Sequence, residues 1–151
     1  MTQTAALPDG LVAFVKRDCP TCVLVEPVLQ ELAGRARLTV LSQDDPTFPA
    51  ALRPLDDREL ELSWKHHIET VPTLILVEAG REKARTEGWA RAEAEALSGV
   101  RGLGAGLPDY RPGCGSLSVD PSRRIDLAVR FEGDRMRSRR IALAPLEDEI
   151  E

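Results

Sequence analysis

The chain has 151 residues, of which 42% are hydrophobic, and a formal net charge of −5 at neutral pH. That length suits one compact domain of about 100 to 120 residues plus an extension, and the acidic balance argues against a general nucleic-acid or anionic-membrane surface, both of which need a basic field. No apolar run approaches the roughly 20 residues of a membrane-spanning helix, and three cysteines, two of them in one motif, suit a redox site better than a disulfide scaffold.

The first eight residues carry no basic cluster followed by an apolar core, so no secretory signal is expected and a cytoplasmic location is. Residues 11–15 are an unbroken apolar run with β-branched members between turn residues, which reads as a short buried strand. The run leads through charged Lys16, Arg17 and Asp18 into Cys19-Pro20-Thr21-Cys22, and a helical pattern follows directly. Cys19 then falls at a helix entrance, where exposed N–H groups and the helix dipole favour a thiolate. Cys22 lies one turn further in, placed to attack a mixed disulfide on Cys19 and release the reduced substrate. Cys19 is therefore expected to be the more exposed thiol and the one of lower pKa. Val23, Leu24, Val28, Leu29 and Leu32 give the helix an apolar face, Gly34 stands near its end, and Pro27 should kink it by removing an N–H.

Residues 38–41 read as a second buried strand, and the strand, helix, strand succession implies a parallel pair with a right-handed crossover. The next connection, residues 46–70, holds no long helix in its proline-bearing first half. Its second half predicts a helix over about 57–67, with Leu60, Trp64 and Ile68 as the core-facing stripe. Residues 73–77 and 83–87, joined by a turn at Glu78-Ala79-Gly80-Arg81-Glu82, predict an antiparallel hairpin. A closing helix over 90–98 ends at Gly99.

The texture changes after residue 98. Gly99, Gly102, Gly104, Gly106, Pro108 and Pro112 form a loop-making stretch that delivers Cys114 between two glycines. Residues 125–131 alternate apolar and polar as a half-buried strand, and 141–143 are a candidate hairpin partner. This extension has too few apolar groups to stand alone and is expected to pack on the preceding body. Its arginine cluster, Arg135, Arg137, Arg139 and Arg140, is balanced by the acidic end Glu147-Asp148-Glu149 and Glu151.

A strand, Cys19-Pro20-Thr21-Cys22, Pro27, and later Ile68-Glu69-Thr70-Val71-Pro72-Thr73-Leu74 stand in the order found in the thioredoxin superfamily. Residues 8 to about 98 resemble that family. The resemblance implies an α/β fold, a thioredoxin-like mixed sheet flanked by helices. The domain division is 1–98 for the thioredoxin-like part and 99–151 for the extension, which contains at least one β-strand. It also implies that Pro72 follows a cis bond and lies opposite the cysteine pair, and that the backbone of Val71 docks an extended substrate segment. Two positions depart from the family: Asp18 replaces the aromatic residue before the first cysteine, and Ala13 replaces the buried acid often found six residues before it.

Together these features point to thiol-disulfide oxidoreduction, with Cys19 as nucleophile, Cys22 as resolving thiol, a redox-active Cys19 to Cys22 disulfide, and Val71 and Pro72 as the substrate-binding backbone. No cofactor and no metal are required. The expected partners are a protein or small-molecule disulfide, with a reductase or glutathione as electron donor, and neither nucleic acid nor membrane. The alternatives are a glutaredoxin-like, glutathione-dependent reductase and a non-catalytic redox sensor or adaptor. A zinc site would need Cys114 with His66 or His67 to complete four ligands, but this cysteine pair opens a helix where zinc pairs sit on loops. His66 and His67 read as a solvated helix end. Cys114 reads as a loop residue, because nothing in the sequence places it near Cys19; a third redox centre and a cap over the site are the other readings.

Overall fold

The computed structural model of the chain describes residues 7–119. The strand expected at 125–131, its partner at 141–143 and the charged clusters beyond them lie outside the described residues.

Strand β1 (Gly10–Val15) leads through α1 (Pro20–Leu24) and α2 (Glu26–Ala33) to β2 (Leu38–Ser42). A short β3 (Leu55–Asp56) and α3 (Glu61–Lys65) precede β4 (Thr70–Val71), after which come β5 (Thr73–Glu78), β6 (Arg81–Glu87) and β7 (Trp89–Ala90). Helix α4 (Arg91–Ser98) is followed by β8 (Tyr110–Arg111) and β9 (Cys114–Gly115). Among the described residues the main sheet has five strands in the order β3-β2-β1-β5-β6. Strands β1, β2 and β3 run parallel, β5 is antiparallel to β1, and β6 is antiparallel to β5. The chain is thus an α/β protein with a mixed sheet. Residues 11–15 of β1 are all buried, so both faces of the central strand are covered, which is why this strand reads as an unbroken apolar run.

The interruption expected at Pro27 is present, but not through a lost hydrogen bond. The helical segment breaks at Val25 (φ −89°, ψ 3°), and Pro27 stands in the first turn of the new helix α2, where a missing N–H leaves no bond unmade. The β5–β6 hairpin turns at Ala79 and Gly80, both at positive φ, and the Asp9 carboxylate accepts both of their N–H groups. Helix α4 ends at Gly99 in the left-handed conformation (φ 76°).

The helix expected over 57–67 is shorter, spanning Glu61–Lys65. Leu60 takes a left-handed conformation (φ 63°) and cannot continue a helix backwards. Asp57 still caps, but from a distance: its buried carboxylate accepts from the N–H groups of Leu62 and Ser63 and from the Ser63 hydroxyl. Leu60 and Ile68 are buried on either side of the helix and Trp64 is half-buried, so they bracket the element instead of forming one stripe along it.

Residues 99–119 lie against the body. Leu103 joins the hydrophobic core, and the Trp89 indole N–H donates to the Pro108 carbonyl. Arg91, at the start of α4, holds the loop together: Nε donates to the Leu103 carbonyl at 2.9 Å, Nη2 to those of Gly104 and Leu107 at 2.7 Å each, and Nη1 contacts the Asp109 carboxylate. Its guanidinium also sits over the Trp89 ring, 5.7 Å from the centroid. Arg91→Ala leaves three carbonyls without their charged donor and should lower stability by about 2 kcal/mol. Urea unfolding reads this directly, and an unchanged midpoint would show that the loop is held by other means.

Candidate active site

The site forms where β1 ends. The turn after it is tied down by Asp44, whose carboxylate accepts the N–H of Arg17 at 2.7 Å and of Asp18 at 2.9 Å, while the Arg17 guanidinium pairs with Asp45. Asp18 therefore contributes its backbone to the turn, where the family resemblance implies an aromatic side chain.

Cys19 is the N-cap of α1. Its backbone is extended, and its Sγ accepts the N–H of Cys22 at 3.2 Å. Helix α1 has only five residues, so the local donors matter more here than a macrodipole. They hold the Cys19 pKa well below the usual thiol value, at about 5. The largest cause is the hydrogen bond with the Cys22 thiol; burial opposes it, and the Cys114 thiol and the N–H groups of Cys22 and Thr21 add to it. The two partner thiols move the other way. Burial, then the bond to Cys19, raises Cys22, and the same two causes in the same order raise Cys114. The expected order of pKa between Cys19 and Cys22 is the order found.

The expected exposure of Cys19 is not found, since both thiols are buried. Cys19 is 1% exposed and Cys22 0%. The cover is the chain's own extension. Strand β9 pairs antiparallel with β4, setting Cys114 opposite Val71 and Gly115 opposite Thr70. This brings Cys114 Sγ to 2.7 Å from Cys19 Sγ, and Cys19 Sγ also lies 3.6 Å from the Val71 carbonyl oxygen. Upstream, the Thr21 hydroxyl donates to the Pro112 carbonyl at 2.7 Å. All three cysteines are free thiols. The loop reading of Cys114 is corrected by this pairing: β9 is a strand, and its cysteine stands against Cys19.

Gly113 permits the approach. A Cβ there would lie 2.5 Å from the Thr70 methyl and 2.5 Å from the Val71 carbonyl oxygen, a backbone atom that cannot yield easily. Gly88 fits behind it, with a left-handed φ of 72° and a Cβ position only 2.9 Å from the Gly113 nitrogen. Downstream, the strand is fastened by Gln43, 1% exposed at the end of β2. Its Nε2 donates to the Ser63 and Ser116 hydroxyls at 2.9 and 2.7 Å, and its Oε1 accepts the Leu117 N–H at 2.9 Å. Ser118 completes the network by donating to the Ile68 carbonyl at 2.8 Å, and the Ser116 N–H donates to that of Glu69. Sequence reasoning missed Gln43, Ser116 and Ser118; the only signal was a polar residue directly after an apolar strand.

The other expected site residues fall as follows. Val71 is buried, the Val71–Pro72 bond is cis, and the β4 edge that would dock an extended segment is taken by β9. Ala13 is buried in the middle of β1 between Val40 and Leu74, so an apolar methyl stands where the resemblance implies a buried acid. His66 caps the end of α3, and the carbonyls of His66 and His67 accept from Arg85. Among the described residues, no group of three or more His, Cys, Asp or Glu is placed to hold a metal ion, and no helix is long and apolar enough to cross a membrane.

Gly113→Ala should loosen the β9 cover by about 1 to 3 kcal/mol, the usual range for an overpacked contact. Alkylation of Cys19 by iodoacetamide at pH 6 should then accelerate by about 5- to 150-fold. Equal rates in the two proteins would show that β9 does not control access.

No protein-family model matches the sequence, and no curated protein matches it.

Proposed function

We propose that the protein is a thioredoxin-like thiol-disulfide oxidoreductase in which Cys19 attacks and Cys22 resolves. The observation that carries this reading is the cluster at the end of β1: a helix-capping cysteine of depressed pKa, hydrogen-bonded by Cys22, beside the carbonyl of the residue before a cis proline. The Cys19 thiolate attacks a sulfur of the substrate disulfide, and that bond breaks to release one thiolate, which takes a proton from solvent. Cys22 then loses its proton and attacks Cys19 Sγ; the Cys19 to Cys22 bond forms and the second substrate thiolate leaves. Two electrons pass from the cysteine pair to the substrate. The raised Cys22 pKa suits a thiol that stays protonated until the mixed disulfide has removed the negative charge from Cys19. In this reading the substrate is a protein or small-molecule disulfide, and a cytoplasmic reductase or glutathione returns the electrons.

A second reading, a redox sensor or adaptor, is favoured by one observation: the substrate-docking edge and Cys19 are covered by β9. An insulin-reduction assay run separately with thioredoxin reductase and with glutathione distinguishes the candidates. Turnover with the reductase supports the thioredoxin-like reading, and turnover with glutathione alone supports the glutaredoxin-like one. Oxidation of the cysteines without turnover in either arm supports the sensor.

The depressed Cys19 pKa predicts a pH signature. The thiolate is the attacking form and is present above about pH 5, so single-turnover formation of the mixed disulfide should rise to a plateau with a midpoint near pH 5. A rate still climbing through pH 8 would mark an ordinary thiol and remove the basis for assigning Cys19 as nucleophile.

A further inference from the structure

We infer that Cys114 is a second resolving thiol for Cys19, delivered by the pairing of β9 on β4, so that the chain can close either of two disulfides on one sulfur. This rests on the reading of Cys19 as nucleophile. The two candidate resolving thiols reach Cys19 from different elements: Cys22 from one turn inside α1, and Cys114 from a strand laid along the Val71 edge. Only one can be bonded to Cys19 at a time.

Cys114 is not a chance neighbour. Its strand is held on both sides, by the Thr21 to Pro112 hydrogen bond before it and by Gln43, Glu69 and Ile68 after it. Gly113 allows the backbone contact that sets Cys114 opposite Val71. The result is a sulfur 2.7 Å from Cys19 Sγ, on the same Val71 edge that would dock an extended substrate segment. Cys114 is partly exposed, whereas Cys22 is fully buried.

The chemistry balances without a further reagent. With β9 lifted, the Cys19 thiolate attacks an external disulfide, which breaks and releases one thiolate, leaving the other half bonded to Cys19. When β9 reseats, Cys114 gives up its proton and its thiolate attacks Cys19 Sγ. The Cys19 to Cys114 bond forms, the Cys19 to substrate bond breaks, and the second substrate thiolate leaves and is protonated. Cys22 can then lose its proton and attack Cys19 Sγ, forming the Cys19 to Cys22 bond and returning Cys114 as a thiolate that takes up a proton. The reseating strand would thus expel the substrate from the edge on which it docked.

Oxidised glutathione added to the reduced full-length protein tests the inference, with products mapped by mass spectrometry after acid quench. In Cys22→Ser the expected product is a Cys19 to Cys114 bridge without glutathione, and in Cys22→Ser/Cys114→Ser it is a persistent Cys19-glutathione adduct. If Cys22→Ser also stops at the glutathione adduct with Cys114 free, Cys114 does not resolve and the inference is overturned, while Cys19 keeps its role. If the double variant forms no adduct at Cys19, the nucleophile assignment itself fails. Should the variants not fold, the wild-type chain sampled through the reaction decides: a transient Cys19 to Cys114 bridge supports the inference, and its absence at every time point overturns it.

Discussion

The Gln43 carboxamide is the fastener on which the geometry of the site depends. It is buried at the end of β2, and its amide group is satisfied by three partners, two of them in the extension. A buried amide left unpaired costs about 1–3 kcal/mol, so the extension cannot leave this position without water or another donor taking its place. Ser63 links the same carboxamide to Asp57, which caps α3, and Ser118 links it to the backbone before β4. One polar network therefore fixes the register of the extension relative to the sheet. That register sets Cys114, and not a neighbour, opposite Val71.

The cover changes the physics of Cys19. A buried thiolate is normally disfavoured, and burial does push Cys19 toward the neutral form. The opposing donors come from two sources, the Cys22 and Thr21 backbone at the helix entrance and the two other thiols. The extension thus desolvates Cys19 and also supplies one of the hydrogen bonds that keep its charge. Accessibility and thiolate character, which usually rise together at a reactive cysteine, are separated here.

Much of the sheet was legible because its strands bury both faces and read as plain apolar runs: β1, β2 and β5 appear within one residue of their expected ends. The Pro27 break and the Gly99 stop were legible for the same local reason, a residue whose backbone permits little else. The helix near residue 60 was overextended because acidic and basic ends suggested caps at both termini, while the left-handed turn at Leu60 leaves no mark in composition. The site was legible in part. A Cys-x-x-Cys after a strand announces itself, but the pairing of β9 with β4 joins residues over forty positions apart through strands of two residues each, too short for any alternation to show.

Because β9 is tethered to the body by the loop that follows α4, its encounter with β4 is intramolecular. That loop is itself fastened by Arg91 and by Leu103 in the core, so β9 is held close to its partner edge, and even a flexible short tether would set an effective concentration in the millimolar range. Any extended peptide that seeks the Val71 edge competes with this tethered strand, and its apparent affinity is its intrinsic affinity multiplied by the fraction of time the edge is vacant. A compact disulfide that needs only a path to the sulfur, and no backbone edge, is handicapped less. Access to the Cys19 sulfur therefore depends on the shape of the approaching molecule, through the close approach that Gly88 and Gly113 allow and the fastening of one glutamine.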